Sequence, residues 1–409
     1  MSDTTGLDLR REIEEAVEGR TAMDRGELRS EYNGCQVLAR IDVAGVDLRD
    51  MDLGHALWER CDFTGADLRG ANLSSSIFNE CRFDHARLAG ADATSSMFTA
   101  CGWTGTAFGN VLLPSTTLAN AILAGADLRD ADLDGAILAR MDLTAAHLPR
   151  ELKRCALTDT ILRKADIARR RLERCAFVNC DTAGIDLTAA VLLQCLLVKP
   201  DLSAALLDGV RLNRCNIVEA DLTGRHLDGH DFAQTQFIGA RMAGTSLREA
   251  DLDRCNFQNA DLAGSDLRQA RLPHGIFAGA DLSGACLAGA ALDGANFSGA
   301  QLAGADLAGA RAKHANFSKA RMEGTVLRDC RLEHALFNHA DLTRADFAGA
   351  DVRRARLHRA IEQDTIWRGA NRKAAFGDDA ELKRAEDWPT AARAGARKPK
   401  GTQEERKGT

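Results

Sequence analysis

The stretch ADLSGACLAGAALDGANFSGAQLAGADLAGA, residues 280–310, repeats one pattern every five residues. A leucine or phenylalanine occupies every fifth position, called here the centre position, and an alanine stands two residues before it, at the small inward position. Neither the 3.6-residue period of a helix nor the two-residue period of a long strand accounts for this spacing. The chain must therefore turn every five residues, with the centre and small inward residues pointing in and the other three pointing out.

The same period runs through most of the chain. A first series of 23 centre positions extends from Leu38 to Leu148, and a second series of 42 begins only four residues later, at Leu152, and ends at Leu357. One unit is therefore a residue short, within AHLPREL at 146–152. Pro149 stands at that corner, and proline suits a place where strand pairing is interrupted because it has no N–H. We expect a bend or an offset of the molecular axis there.

Units such as ADLRG at 66–70 and ANFSG at 295–299 follow the pattern A-(D/N)-L-x-x. Over residues 36–360 the chain resembles the pentapeptide-repeat family. The resemblance implies an all-β solenoid, a right-handed quadrilateral β-helix with four pentapeptides per coil. The number of units then gives about 16 coils and, at roughly 4.8 Å between neighbouring strands, a rod about 75 to 80 Å long.

Aromatic residues test the 20-residue coil independently. Phenylalanine recurs at every fourth unit in one column, and shorter columns of the same spacing occur in the first series. If one residue is simply lost near Pro149, the column that begins at Trp58 lines up with Phe177 and Phe237. Rings that recur once per coil are expected to stack along the axis, which stabilises the fold beyond burial alone. The columns consist of Phe237, Phe257, Phe277, Phe297, Phe317 and Phe337; of Trp58, Phe78 and Phe98; and of Phe63, Phe83 and Trp103.

Composition limits the classes of function. The 53 basic and 59 acidic residues give a net charge of −6, too even for a typical nucleic-acid-binding protein, so direct nucleic-acid binding is not expected. No apolar run reaches the roughly 18 residues of a membrane helix, and the amino terminus lacks a secretory signal pattern. We therefore expect a cytoplasmic protein, with export by a signal-peptide-independent system as an alternative.

The twelve cysteines suggest chemistry at first sight, and Cys255 stands beside Arg254. Ten of them, however, occupy small inward positions, where free cysteine packs as a small buried apolar residue. Equivalent atoms near 4.8 Å apart are too distant for disulfides, and no paired C-x2-C spacing of a zinc site occurs. No Gly-rich phosphate loop and no nucleophile, base and orienting group can be assembled. We expect no catalytic residue, no metal site and no cofactor.

The residue before the second cysteine column forms an outward column, called here the donor column, without a single acid. It comprises Arg154, Arg174, Gln194, Arg214, Gln234, Arg254, His274, Gly294, His314, His334 and Arg354. One interpretation is a set of corner residues paired with neighbouring acids such as Glu173 and Asp253. The other is a contact strip for an acidic partner or phosphate, for which Arg154, Arg174, Arg214 and Arg254 are the candidates. Two histidines one coil apart, His314 and His334, are interpreted as surface residues.

An outward apolar patch is predicted on the same side of the coil. The residues directly after the centre are Val178, Val198, Val218 and Ile238, and Leu193 and Leu196 lie near them. Contiguous apolar patches often mark contact sites, although β-branched ladders also simply favour strands. These six residues are candidate partner-binding residues.

Three small inward positions carry bulky polar residues, namely Arg170, Arg225 and His230. A long polar side chain does not fit a narrow coil, so the segment GRHLDGH, residues 224–230, is expected to be distorted.

Both ends of a solenoid need covers. Residues 7–19 show helical spacing, which predicts a capping helix within an N-terminal segment 1–35. Beyond the repeat at 36–360, residues 361–388 supply Trp367, Phe376, Leu382 and Trp388, which would plug the last coil or join two rods. Residues 389–409 have the composition of a disordered tail.

Three functions remain. The first is a non-enzymatic protein-interaction scaffold with an unidentified protein partner, a homodimer being one alternative state. The second is a bacterial secretion-associated adaptor or effector of the type VI kind. The third is a DNA mimic that binds gyrase or topoisomerase, as members of the resembled family do. Such mimics rely on an acidic surface, whereas residues 36–360 hold 41 acidic and 37 basic residues.

Overall fold

The computed structural model describes residues 20–32 and 37–387, and it shows a solenoid of parallel strands, as the sequence predicts. Its main sheet has ten strands, each paired in parallel with the next, and a second sheet has four. The main sheet consists of β2 Val37–Ala39, β4 Leu57–Glu59, β5 Ile77–Asn79, β6 Met97–Thr99, β7 Thr117–Ala119, β8 Ile137–Ala139, β10 Ala156–Thr158, β12 Ala176–Val178, β14 Leu196–Val198 and β16 Asn216–Val218. The second sheet consists of β9 Glu151–Lys153, β11 Arg171–Glu173, β13 Val191–Leu193 and β15 Arg211–Asn213. A small pair, β1 Thr21–Ala22 and β3 Ile41–Asp42, lies at the N-terminal end.

Neighbouring strands lie one coil of four units apart along the chain, as in the pairing of Trp58 with Phe78. The all-β solenoid fold is thereby confirmed, but regular strands span about ten turns rather than the expected 16 coils. Beyond β16 the same register continues as isolated bridges, for example from Asn216 to Gln236 and on to Asn256. In this part of the chain only one residue of each unit pairs with the neighbouring coil, because the rest of the unit forms the turn at the corner.

An Asp or Asn directly before the centre, where a unit has one, stabilises the turn of the chain. Its side-chain oxygen accepts a hydrogen bond from the backbone N–H two residues later, as from Ala263 to Asp261 at 3.1 Å and from Ser298 to Asn296 at 3.1 Å. This Asx turn favours a corner over an extended strand. None of the three-residue strands begins with aspartate, and β16 alone begins with asparagine, so an Asx residue disfavours a regular strand at its unit. Units without one, such as that of Ile276, can also form only a bridge.

The interior is a dry column of centre and small inward residues. The predicted aromatic columns are confirmed as stacks, with ring centroids 4.6 Å apart between Phe277 and Phe297 and 4.7 Å apart between Phe78 and Phe98. Adjacent columns meet edge to face, as Phe78 does with Phe83 at 5.4 Å. Offset and edge-on contacts are the preferred aromatic geometries, so each coil fixes the register of the next.

The short unit near Pro149 does not break the main sheet. Ile137 of β8 pairs with Ala156 of β10, so this coil is one residue shorter than its neighbours. The aromatic column therefore continues from Phe98 to Phe177 within one sheet, as predicted. Pro149 itself is buried. The bend of the axis at this corner stays a prediction.

The bulky inward residues are accommodated by hydrogen bonds to the preceding coil. Arg170 donates from Nε to the carbonyl of Leu148, beside the short unit, at 3.1 Å. His230 approaches the Leu207 carbonyl through Nε2 at 2.9 Å, and Arg225 donates to the Ser203 carbonyl at 2.9 Å.

The coil that holds residues 224–230 keeps its bridges to the next coil at Asp221, His226 and Asp231. Of these three residues only Asp221 is bridged to the preceding coil, so the expected distortion is found on that side. A small apolar cavity lies in the same part of the interior, where the pairing with the preceding coil is interrupted. Its lining includes Leu207, Val210, Leu227 and Phe232.

Helix α1, Arg25–Glu31, covers the N-terminal end through buried Leu28 and is held by a capping box between Asp24 and Glu27. Tyr32 stacks on Trp58, with ring centroids 6.0 Å apart. The helix predicted over residues 7–19 and the tail at 389–409 lie outside the described residues.

The C-terminal end is covered in part. Trp367 stacks on Phe347 at 4.3 Å, and a 3-10 turn, Arg372–Ala374, is followed by helix α2, Ala380–Glu386. Phe376 and Leu382 remain 58% and 43% exposed, so they do not plug the last coil. Trp388 lies outside the described residues.

Candidate functional site

One of the four sides of the solenoid differs from the others because it is almost uncharged. It is the side of the main sheet and its continuation, and we call the outward residues directly before and after the centre, from Val37 to Asn338, the neutral face. These 32 residues include one charged residue, Glu59. Charged side chains lie along the other three sides of the solenoid, so the lack of charge is specific to this one side.

The N-terminal half of the neutral face is openly apolar. Val37 is 64% exposed, and Ile77, Met97 and Ile137 are 41%, 42% and 45% exposed. The strands that carry them are hydrogen-bonded neighbours or near neighbours, so the side chains form one ladder along the sheet. Contiguous exposed apolar surface of this kind marks contact sites in soluble proteins.

The predicted apolar patch belongs to the same face. Val178 pairs with Val198, and Val198 with Val218, in adjacent strands, while Leu196 stands two residues before Val198. Ile238 continues the ladder one coil further, after the bridge between Asn216 and Gln236. All of these residues are half-buried, since each β-branched side chain covers its neighbours.

Leu193 lies on β13, in the second sheet, across the corner formed by Gln194. The structure thus places five of the six predicted apolar residues on the neutral face and the sixth beside it. The more exposed N-terminal half was not predicted, although the residues before the centre, taken once per coil from Val37, show it in the sequence.

The donor column borders the neutral face along one long edge. Its residues occupy the corner that leads into the main sheet and have left-handed backbone conformations, with φ of 56° at Arg154, 57° at Arg174 and 53° at Arg214. Such a corner directs the side chain away from both adjoining sheets. The column is therefore a ridge beside an apolar face.

The arginines of the column differ in their partners. Arg154 is neutralised by Asp134, because its Nε and Nη2 atoms donate to the two carboxylate oxygens at 3.0 and 2.6 Å. Arg174 and Arg214 donate from Nε to the amide oxygens of Gln194 and Gln234, each at 3.0 Å. A neutral amide orients a guanidinium without cancelling its charge.

The acids considered in the sequence analysis pair elsewhere. Glu173 lies 3.5 Å from Arg171, and Asp253 lies 3.8 Å from Arg271. Within residues 37–387, no carboxylate comes within 4.0 Å of the side chains of Arg174, Arg214 and Arg254. The column therefore keeps unneutralised guanidinium groups at Arg174, Arg214 and Arg254, one on every second coil, and a further one at Arg354 near its end.

The charged sides of the solenoid, in contrast, neutralise themselves. In the motif Asp-Leu-Arg the arginine folds back onto the aspartate two residues earlier, as Arg129 does on Asp127 at 2.8 and 2.6 Å. Hydrogen bonds from Arg129 hold the pKa of Asp127 at about 2. Because each ion pair is neutral overall, these sides of the solenoid carry little net electrostatic field.

The histidines of the donor column pack on the column itself. His314 and His334 stack with ring centroids 4.8 Å apart, and the His274 ring covers Gly294, where an added Cβ would lie 2.6 Å from Nδ1. No acid or cysteine joins them in a metal-binding group among the described residues.

A different group, His339, His358 and Glu386, brings its ligand atoms within 4.8 Å of one another at the C-terminal cap. The Nδ1 atom of His358 accepts a hydrogen bond from the backbone N–H of Asp379 at 3.0 Å, so Nε2 carries the proton of the neutral ring. That proton faces Glu386, and Arg359 lies 3.0 Å from the same carboxylate. The group is a clasp that holds α2 on the last coil, because a metal-bound histidine donates, rather than accepts, through its other nitrogen.

The cysteines at small inward positions are buried. Their thiols donate to carbonyls of the preceding coil, as Cys255 does to Phe232 at 3.0 Å and Cys330 to Leu307 at 2.9 Å. Burial raises the pKa of Cys255, and likewise that of Cys330, to about 12. Cysteine is thus a small residue that also satisfies a backbone oxygen, a role the sequence analysis did not identify.

The sequence matches the family model of pentapeptide repeats in eight copies, within residues 44–79, 115–148, 215–254, 250–289, 290–329 and 325–361, together more than half of the chain. No curated protein sequence matches the chain.

Among solved structures, the chain is similar to three pentapeptide-repeat-type structures. QnrB1, a plasmid-mediated fluoroquinolone resistance protein, is 16% identical over 61% of this chain and 95% of its own, with a TM-score of 0.25. HetL of Nostoc sp. strain PCC 7120, involved in regulating heterocyst differentiation, is 23% identical over 74% and 96%, with a TM-score of 0.13. A protein of the Arabidopsis thaliana thylakoid lumen is 30% identical over 27% and 70%, with a TM-score of 0.09. At these TM-scores the three structures add nothing to the family match.

Proposed function

Because the chain belongs to the pentapeptide-repeat family, whose regular coils offer long flat surfaces, we propose that it is a non-enzymatic protein-interaction scaffold that binds a protein partner through the neutral face. The observation that carries the proposal is the ladder of exposed apolar side chains on the main sheet, from Val37 to Ile137. A surface that costs solvation free energy when left open is stabilised when a partner covers it.

The interior supports the same function. Its thiols are bonded to carbonyls, its bulky polar residues bind the backbone, and the one cavity described has an apolar lining. Both helices in the described part have seven residues, far short of the roughly 20 needed to cross a bilayer. We therefore assign the function to the outer surface of the solenoid.

The scaffold interpretation is preferred over the DNA mimic because of where the charges lie. A mimic needs a field of uncompensated acids, whereas here aspartates such as Asp127 and Asp266 are bonded to the arginine of their own unit. Neither a secretion-associated adaptor nor a homodimer is favoured by a specific contact.

Affinity capture from a lysate of the organism that encodes the chain tests the proposal. The double variant Ile77→Glu/Ile137→Glu places two charges on the neutral face, and Leu112→Glu/Leu206→Glu places two at apolar sites of similar exposure, 42% and 53%, on other sides. The proposal expects proteins that are retained by the wild type and the Leu112/Leu206 variant and lost from the Ile77/Ile137 variant. Identical capture by all three proteins would contradict it.

A further inference from the structure

The donor column defines what kind of partner the neutral face accepts, and this inference rests on the proposed function. Along Val178 to Ile238 the half-buried apolar ladder lies across the neutral face from the ridge that carries Arg174, Arg214 and Arg254. The uncharged residues Ala176, Leu196, Asn216 and Gln236 stand between the ladder and the ridge. We propose that this part of the face binds an acidic amphipathic α-helix of a protein partner, with apolar side chains on the ladder and carboxylates on the three arginines.

The geometry of the arginines favours carboxylates. In Arg174 and Arg214 only Nε is used, by the glutamine one coil away, and no oxygen in residues 37–387 accepts from either Nη group. The glutamine holds the guanidinium along the axis and leaves its outer edge open. A planar guanidinium with two free nitrogens is the geometry that binds a carboxylate in a bidentate manner.

The spacing of the charges distinguishes a helix from a strand. The three arginines recur on every second coil, which is about 10 Å at the strand spacing of roughly 4.8 Å. Residues i and i+7 of an α-helix lie on one face and are about 10.5 Å apart, since the rise is roughly 1.5 Å per residue. In an extended strand, residues about 10 Å apart are three positions apart and point to opposite sides. A helix with acids at i, i+7 and i+14 therefore matches the column, and a strand does not.

The length of the site is also that of a short helix. From Arg174 to Arg254 the column spans four coils, roughly 19 Å, which corresponds to about 13 helical residues. The site is bounded at its N-terminal side by Arg154, whose charge Asp134 cancels, and at its C-terminal side by His274, whose ring lies on Gly294. The unneutralised stretch thus has two defined ends.

Fluorescence anisotropy with the full-length chain and defined peptides tests the inference. The probe is a labelled helical peptide of about six turns with glutamate at i, i+7 and i+14 and leucine on the adjoining face, and its control has glutamine at the three acidic positions. We expect the glutamate peptide to bind more tightly, with an affinity that falls as salt rises. The triple variant Arg174→Glu/Arg214→Glu/Arg254→Glu should lower that affinity by roughly 3- to 100-fold, the sum expected for three exposed ion pairs.

A matched triple variant, Arg321→Glu/Arg331→Glu/Arg344→Glu, makes the same change of charge at exposed arginines outside the column and should bind as the wild type does. The inference would be overturned by equal binding of the two peptides or by no binding of the glutamate peptide. It would also be overturned by equal losses in both triple variants, or by preference for a short single-stranded DNA over the peptide. In the lysate capture, proteins lost from the Ile77/Ile137 variant but kept by the Arg174 triple variant would overturn the inference and leave the proposed function intact.

Discussion

The aromatic stack of the core makes a quantitative prediction about how coils hold one another. The Phe277 and Phe297 rings lie 4.6 Å apart with an interplanar angle of 4°, and both are fully buried. Leucine already occupies the same column at Leu138 and Leu197, so Phe→Leu substitutions suit the backbone. Each single variant loses two ring contacts, worth about 0.5 to 1.5 kcal/mol apiece, and should be destabilised by about 1 to 3 kcal/mol.

The double variant loses three ring contacts rather than four, because one contact is shared. The two substitutions should therefore couple by the value of one contact, about 0.5 to 1.5 kcal/mol, in a double-mutant cycle. Urea denaturation followed by far-UV circular dichroism measures the four free energies, provided that the denaturant slopes agree. The pair Phe237→Leu and Phe297→Leu is the control, since three coils separate the two residues and their effects should add. Additivity of the adjacent pair as well would refute ring stacking as the source of coil-to-coil register.

The remaining predictions concern the thiols, pH and the short unit. Among cysteines at described positions, Cys286 alone is not buried. Iodoacetamide should therefore modify Cys286 in the native protein and spare Cys255 and Cys330. Peptide mapping that finds Cys255 of the native protein modified early would be incompatible with its hydrogen bond to Phe232. Hydrogen bonds from Arg353 hold the pKa of Asp351 at about 2, below its unfolded value of roughly 3.9. The stability due to this half-buried carboxylate, under about 1 kcal/mol, is therefore complete above about pH 5 and is lost as the pH falls toward 2. Asp351→Asn should flatten the melting temperature over that range, and an unchanged pH profile would argue against the pair. Arg170→Ala should lower the free energy of unfolding by about 1 to 3 kcal/mol because it leaves the Leu148 carbonyl without its donor. The control Arg211→Ala, at an exposed position, should change it by less than about 0.5 kcal/mol. Equal effects of the two substitutions in thermal unfolding would show that the Arg170 hydrogen bond does not stabilise the short unit.

The fold could be predicted from the sequence because one physical rule recurs in every unit. Pairs such as Ala280 and Leu282 recur every five residues, and neither a helix nor a straight strand can bury all of them at that period, so the chain must turn. The aromatic columns then fix the coil at four units. The limits of the regular strands could not be predicted, since Ile77 begins a strand whereas Ile276, at the equivalent position, forms only a bridge.

The surface was predictable only in part. The residues directly after the centre predicted Val198 and its neighbours. The ladder directly before the centre, at Ile77 and Ile137, was not predicted, although it recurs once per coil in the sequence. The sequence placed Arg174 in a column but not its hydrogen bond to Gln194, because rotamers are not encoded in a repeat. Helix α1 gave little signal, since Leu28 is its one buried residue.

The central claim, that a protein partner covers the neutral face, is tested most directly by site-specific photo-crosslinking. A benzophenone amino acid would replace Ile77, Ile137 or Val198 on the neutral face and Leu112 or Leu206 on other sides, with each variant crosslinked in lysate under one set of conditions. We predict one common crosslinked band from the three neutral-face positions and none from the other two. Bands of equal strength from all five positions, or bands from Leu112 and Leu206 alone, would contradict the claim.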